Sequence, residues 1–375
     1  MFVDIPVHHD LILNGQGTGE LAEQMLRCQF DPGFLRPYIE NGKKYVTINN
    51  ARNEPEAVLV SDLVANGVQS PVLNATLALR KDEWLQMDNI ILRAARQRLR
   101  AWGDLVSRNS YGGFNAMGKM ILEHETMSDP GEAMVDMDGL TEGRTDAPKF
   151  QLEGIPLPIT HSNFWFSSRR MAISRNSGMP LDTSMGEACG RRVAETIEQT
   201  LIGNLTGITY GTTADYGNAP TVYGYTNHPD RVTKTDLTAS ASFVGTTFVS
   251  ELLEMIELLR GQNFYGPYMV YVSTGYDSKL DDDYKTNSDK TVRQRVREIE
   301  EVQDIRRLDY LTGDVVLVVQ MTSDVVRAIN GMDITTVQWE SKGGMQLNFK
   351  VMAIQVPQIR SDFNGNCGIC HGTTG

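Results

Sequence analysis

The chain has 375 residues, 41% of them hydrophobic, enough to bury a substantial core and to form more than one domain-sized unit. Its 47 acidic against 35 basic residues give a net charge of −12, so the surface as a whole repels phosphate and sequence-specific nucleic-acid binding is excluded as its main task. No basic segment followed by an apolar one opens the sequence and no run of about 18 apolar residues occurs, so neither export by a signal peptide nor membrane insertion is expected.

In chain order, residues 1–80 read as an irregular amino-terminal arm. The stretch "DPGFLRPYIENGKKYVTINNARNEPEA" carries Pro32, Pro37 and Pro55 around one short strand-like run, Tyr45–Ile48. Upstream, "LILNGQGTGELAEQM" imitates a dinucleotide fingerprint. Its Gly15, Gly17 and Gly19 miss the G-x-G-x-x-G spacing, and the preceding apolar run is too short for a parallel strand, so a loop is expected.

From Lys81 the pattern changes to an amphipathic helix within 81–117. Trp84, Met87, Ile91, Ala94 or Ala95, Trp102 and Val106 form one stripe, arginines lie opposite, and Gly112 and Gly113 end it. Residues 118–165 read as a long projecting hairpin, with strand-like "GKMILEHETM" and "PKFQLEGIPLPITHSNFWFS" flanking an acidic stretch, 128–147, too polar to bury.

A second long helix is expected in 166–238, within "LDTSMGEACGRRVAETIEQTLIGN". Asp182 or Thr183 is placed to cap it and Gly203 to end it; Met185, Cys189, Val193, Ile197 and Leu201 recur every four residues, with Glu187, Arg191 and Glu195 on another side. The Gly/Thr/Tyr-rich stretch 204–238 reads as a surface loop. A mixed unit follows over 239–330: a helix over 241–262, the strand "MVYVS", a helix over 289–300 and the strand "DVVLVVQM". Residues 331–360 supply the strands "DITTVQWE" and "MQLNFKVMAIQVPQI", and 361–375 read as a flexible, glycine-rich tail.

That tail contains "CGICH", Cys367–His371, the spacing of covalent haem attachment. The context opposes a haem: the four cysteines (Cys28, Cys189, Cys367, Cys370) fit a reducing compartment, whereas haem attachment normally follows export. Zinc would find at most three ligands here. No nucleophile elbow, phosphate loop or H-E-x-x-H pair occurs. His8 and His9 are adjacent and so diverge, His124, His161 and His228 lie in separate segments, and the run Asp281, Asp282, Asp283 reads as a solvated helix end. The expectation is a non-enzyme with no catalytic residues, metal or cofactor.

The element order resembles the major capsid proteins of tailed bacteriophages, the Hong Kong 97-type fold that bacterial encapsulin shells share. "DEWLQMDNIILRAARQRL" resembles the amino-terminal helix, the hairpin the extended E-loop, and "IPLPITHSNFWFSSRR" leading to "PLDTSMGEACGRRVAETIEQTLIGN" the spine helix of the peripheral domain. "GQNFYGPYMVYVSTGYDSKL" with "VRQRVREIEEVQDIRRLDYL" resembles the axial domain, and "GMDITTVQWE" with "LNFKVMAIQVPQI" the strands returning to the body. The match in element order spans 81 to about 360.

The resemblance implies an α+β chain that self-assembles, as hexamers and pentamers, into an icosahedral virion shell around phage double-stranded DNA. Assembly would take place in the host cytoplasm, with portal, scaffolding or decoration proteins as further partners and without sequence-specific DNA binding. An encapsulin-like compartment is the alternative; an enzyme or haem protein using the terminal motif is a third. Inter-subunit contacts are expected on the hairpin at Lys119, Glu123, Met137, Asp138, Lys149 and Phe150. In the Hong Kong 97 phage itself a lysine–asparagine isopeptide joins neighbours; Lys119 and Lys149 flank the hairpin, but nothing identifies a partner and that chemistry is not carried over.

Overall fold

The computed structural model describes residues 36–49, 55–65, 79–114, 116–128, 135, 137–138, 147–177, 183–211, 219–285 and 289–374. The loop carrying Gly15, Gly17 and Gly19, together with His8, His9, Cys28 and Asp182, lies outside the described residues, as does most of the hairpin's acidic apex.

Residues 36–80 differ from the expected irregular arm. Strands β1 (Tyr38–Glu40), β2 (Lys43–Asn49), β3 (Pro55–Leu59) and β4 (Leu79–Arg80) form a sheet in the order β3-β2-β1-β4, covered by the short helix α1 (Val60–Ala65). The cause is the two-residue Asn41–Gly42 turn, with φ of 50° and 73°, whose twist matches that of the paired strands. Tyr38 stacks on Tyr45 directly opposite, and Val46, Ile48, Val60 and Leu63 make a small core.

The single helix expected from Lys81 is two: α2 (Lys81–Arg98) and α3 (Ala101–Arg108). Neither glycine nor proline stands at the break. What breaks it is Glu198 on the spine helix α5 (Ser184–Ile202), whose carboxylate accepts from the backbone N–H of Ala101 at 2.7 Å and of Trp102 at 3.1 Å. A carboxylate from a distant helix thus satisfies donors that a new helix start leaves open. Burial pushes the Glu198 carboxyl up to about 7 in spite of these donors.

Gly203, at φ 102°, ends α5 as expected, and Cys189, Val193, Ile197 and Leu201 are buried; Met185 departs from the stripe and is exposed. α2 and α5 approach closely because Gly190 stands at the crossing: a Cβ there would lie 2.8 Å from Ile91 Cγ2 and 3.0 Å from Ile91 O.

Beneath these helices lies the sheet β5-β13-β14-β8, built from β5 (Ser110–Gly112), β13 (Val326–Ser341), β14 (Gln346–Ile359) and β8 (Thr160–Ser167). Phe349 of β14 stacks on Phe164 at 5.1 Å and takes Trp84 edge-on at 6.2 Å, locking sheet to helix. The hairpin itself is β6 (Ile121–Met127) paired with β7 (Phe150–Pro156); β8, expected as the continuation of its second arm, belongs to the body. α4 (Ser168–Ser177) links β8 to α5.

The third unit is the sheet β11-β10-β12-β15-β9: β11 (Val302–Arg307), β10 (Tyr268–Val272), β12 (Val315–Gln320), β15 (Ile369–Thr373) and β9 (Val232–Lys234). Helices α6 (Gly245–Arg260) and α8 (Val292–Arg297) cover one face, and the short α7 (Thr274–Asp277) follows β10. Both faces are buried. Val316, Val318 and Cys370 point into the core under α6, whereas Leu317, Val319 and Ile369 join the core shared with α5.

The expected flexible tail is therefore corrected: residues 369–373 are an interior strand, antiparallel to β12 and parallel to β9. The expected surface loop 204–238 likewise contributes Val222 and Tyr225 to the interior and β9 to this sheet. Among the described residues no helix is long and apolar enough to cross a membrane.

Two helical glycines are expected to respond to alanine with opposite sign in denaturant unfolding. Gly103→Ala, with nothing within 4 Å of its Cβ position, gains about 0.5–1 kcal/mol. Gly190→Ala, whose Cβ meets Ile91 backbone, loses about 1–3 kcal/mol. Because the folded Glu198 binds its proton more tightly than an unfolded glutamate, its contribution is fully present below about pH 4.5 and is lost as pH rises through about 7. Urea midpoints across that window should therefore show a downward component, on the order of 3 kcal/mol, that is missing from Glu198→Gln.

Candidate functional site

The hairpin is held at one end only. At its base Ile155 and Leu157 are buried with Ala116, Val222, Ile329, Ile354 and Val356, and Leu122 packs against them. Further out, His124 Nε2 lies 3.1 Å from Glu153 Oε2 across the two strands, and this bond holds the Glu153 carboxyl below the usual range. Where the strands end, Ser128 and Lys149 close the ladder through Ser128 N–H to Lys149 O at 2.9 Å. Here the apolar side chains face outward. Phe150 is 62% and Met127 56% exposed, and beyond them Val135 and Met137 are 100% and 98% exposed.

The six residues expected at contacts do not converge on a point. Lys119 is exposed at the hairpin base, Glu123 is exposed partway along β6, Lys149 and Phe150 mark the outer end of the ladder, and Met137 and Asp138 belong to the apex. They are strung along one projecting ribbon.

A feature that sequence reasoning missed lies at the base of that ribbon. The outer face of the sheet, away from α2 and α5, carries Trp339, Val337 and Met352; with Met117 and Met120, and with Leu157 and Ile159 past β7, these frame an apolar groove of about 800 Å³. Exposed Lys119 and His161 stand on its border, and the Lys350 ammonium lies 5.8 Å from the centre of the Trp339 ring. The Tyr210 hydroxyl closes one side by donating to Met120 Sδ at 2.8 Å. Because five separated segments make the groove, no sequence window could have signalled it.

A polar cluster joins the helical layer to the five-stranded sheet. The Tyr271 hydroxyl donates to Asp104 Oδ2 at 3.3 Å, the Arg306 guanidinium pairs with the same carboxylate, and Tyr225 stacks on Tyr271 at 6.2 Å. Burial raises the Asp104 carboxyl, with Arg306 acting against it. No substrate-sized opening with a nucleophile and its base accompanies this cluster.

The terminal cysteines are interior. Cys367 and Cys370 are fully buried, on opposite sides of the sheet, with Cys367 in the core of α5 and Cys370 in that of α6. Burial pushes both thiols up to about 12, and burial with Arg231 nearby takes His371 down to about 4; His371 Nδ1 accepts from Arg231 Nε at 3.3 Å. Thiols facing different cores are not placed to share one haem or one ion. Among the described residues no group of three or more His, Cys, Asp or Glu is arranged to hold a metal.

Residues 74–372 match a family of unknown function (DUF6260), and the chain belongs to it. No curated protein sequence matches the chain. Among solved structures it is similar to a virus-like particle from Pyrococcus furiosus, at 13% identity and TM-score 0.52, covering 77% of this chain and 98% of that one. It is similar also to the capsid of Myoviridae phage XM1, at 12% identity and TM-score 0.53, covering 68% and 86%. The cyanophage Pam1 capsid is a third, at 10% identity and TM-score 0.50, covering 74% and 93%. The fold is thus the Hong Kong 97-type capsid fold, in keeping with the element order read from the sequence.

The placement of the cysteines makes a direct expectation. In native protein, iodoacetamide followed by mass mapping should leave Cys189, Cys367 and Cys370 unmodified, and all three should label once the chain is unfolded. Rapid labelling of Cys367 in the folded state would contradict the strand assignment.

Proposed function

We propose that the chain is a non-catalytic structural subunit which closes, through many copies of itself, into an icosahedral shell, and that the shell encloses the double-stranded DNA of a tailed phage. The observation that carries this reading is the hairpin. A two-stranded ribbon of seven-residue arms has no sheet to lean on beyond its base, yet Phe150, Met127 and Met137 point into solvent from it. Such a ribbon is marginal alone and gains its support from a neighbour.

A shell also needs contacts that tolerate several nearly equivalent geometries, in hexamers and in pentamers, and an overlapping ribbon supplies area without a rigid lock. On this reading Lys119, Glu123, Met137, Asp138, Lys149 and Phe150 contact neighbouring subunits. Portal, scaffolding or decoration proteins would complete a virion assembled in the host cytoplasm.

The genome is favoured over a cargo enzyme by size and charge. Only 77% of this chain suffices to cover 98% of the Pyrococcus particle subunit, so this subunit carries added elements, and the sheet of residues 36–80 is a candidate among them. Additions of this kind tie more neighbours together under internal pressure. The net charge of −12 suits a container that must not bind its DNA tightly everywhere. The near-complete coverage of that same subunit is what supports the second reading, an encapsulin-like compartment.

Electron microscopy of purified protein should show closed shells, and only small oligomers or monomers would sink the shell reading. Replacing 128–147 by a short Gly/Ser turn should leave folded protein that does not close into particles; normal particles from that variant would remove the hairpin's role. Native particles should yield nuclease-protected double-stranded DNA, from a gene beside portal and terminase genes. DNA-free shells holding a ferritin-like or peroxidase cargo would select the compartment.

A further inference from the structure

Three features of the groove at the hairpin base bear on what fills it. Its walls are apolar and include two flexible methionines, Met117 and Met120, which adapt to irregular partners. Its border is cationic, through Lys119 and Lys350, with His161 beside them. In a protein of net charge −12, a lysine-bordered apolar groove is a local exception.

The complement of that surface is on the same chain. Over 129–146 the hairpin apex has six acidic residues against the single Arg144, and interleaved with them are Met134, Val135, Met137 and Leu140. Val135 and Met137 are fully exposed, so they do not occupy the subunit's own groove. The geometry agrees, because seven-residue strands carry the apex roughly 20 Å from the base at about 3.3 Å per residue.

We propose that the groove is a socket for the acidic, methionine-bearing hairpin apex of a second copy of this chain. Apolar side chains of the apex enter between Met120, Ile159 and Met352, while its carboxylates face Lys119 and Lys350. Plug and socket then lie at opposite ends of one hairpin. The contact is head-to-tail and propagates from copy to copy, closing into a ring where the rotation permits. Charge complementarity fixes which end of the apex meets which border, and the methionines on both sides let the same contact form at slightly different angles. This deepens the shell reading, on which it rests, by naming the receptor of the hairpin.

The test uses full-length protein. In a Cys28→Ser background, Met137→Cys combined with Ile159→Cys is oxidised with copper–phenanthroline. The expected result is an intermolecular ladder on denaturing gels, missing from either single variant and from Met137→Cys combined with Leu85→Cys on the outer side of α2. Independently, Lys119→Glu with Lys350→Glu should raise the protein concentration needed for half-assembly by about tenfold, and adding Asp138→Lys should bring it back towards wild type. Circular dichroism of the soluble species confirms that these surface variants are folded.

If wild-type protein forms shells but Met137→Cys links to Leu85→Cys in preference, or the double lysine variant assembles as wild type, the socket is overturned and the shell reading stands. If wild type forms no shells yet the Met137–Ile159 ladder appears, the shell reading falls and the socket stands. A link from Ile159→Cys to a retained Cys28 would instead make the amino-terminal segment the occupant and overturn the proposal.

Discussion

The backbone N–H groups of Ala101 and Trp102 open a new helix in mid-stripe, and the one group that accepts from both is the buried Glu198 carboxylate. Leu99 and Arg100 are good helix formers, so local preference alone would carry α2 straight on. Because the carboxylate holds the break, α2 can keep its close crossing over Gly190 while α3 turns to present Asp104 to Arg306 and Tyr271 of the neighbouring sheet. The bond is made at the cost of burying an acid, which explains why Glu198 retains its proton to a higher pH than a solvated glutamate. Remove the carboxylate and the relation between the helical layer and the axial sheet loses its reference point.

That relation is also carried by packing. Alternate residues of β12 enter two different cores, Val316 and Val318 on one side and Leu317 and Val319 on the other. The five-stranded sheet is thus a shared wall, and a displacement of one core is felt in the other because close-packed interiors transmit strain. The hairpin, by contrast, is tied to the body only through the small cluster around Ile155 and Val356. A stiff body with one compliant extension follows from where the apolar residues are placed.

What could be read from the sequence was what has a period. The spine helix declared itself through Cys189, Val193, Ile197 and Leu201, and β12 and β14 through continuous apolar runs that reflect burial on both faces. Strand β15 gave no such signal because its packing partners leave no room for side chains. A Cβ on Gly372 would lie 2.6 Å from Leu237 Cδ1, so glycine stands where an apolar residue would have marked a strand, and the segment reads as a tail. Strand β11 hid behind its charges, since Asp304, Arg306 and Arg307 pair with groups on α3, α7 and α8 along a sheet edge. Glu198 lay on the charged-looking side of a helix and differed from its neighbours only in what a distant segment needed. The candidate hairpin residues were legible as a ribbon; the groove was not, because it exists only once five segments have come together.

The position of β15 has a consequence in time. It lies between β12 and β9, and β9 was made about 135 residues earlier by the sequence numbering. A ribosome therefore delivers β9, β10, β11 and β12 while the slot between β9 and β12 stays empty, leaving two open strand edges and two half-built cores. Such edges are ready to pair with any exposed strand, and the nearest ones at hand belong to other nascent copies of the same chain. Seating Ile369–Thr373 closes both edges in one step, so the subunit's passage from sticky intermediate to finished part depends on the arrival of five residues, two of which have thiols that belong inside rather than on the surface or just precede the strand there.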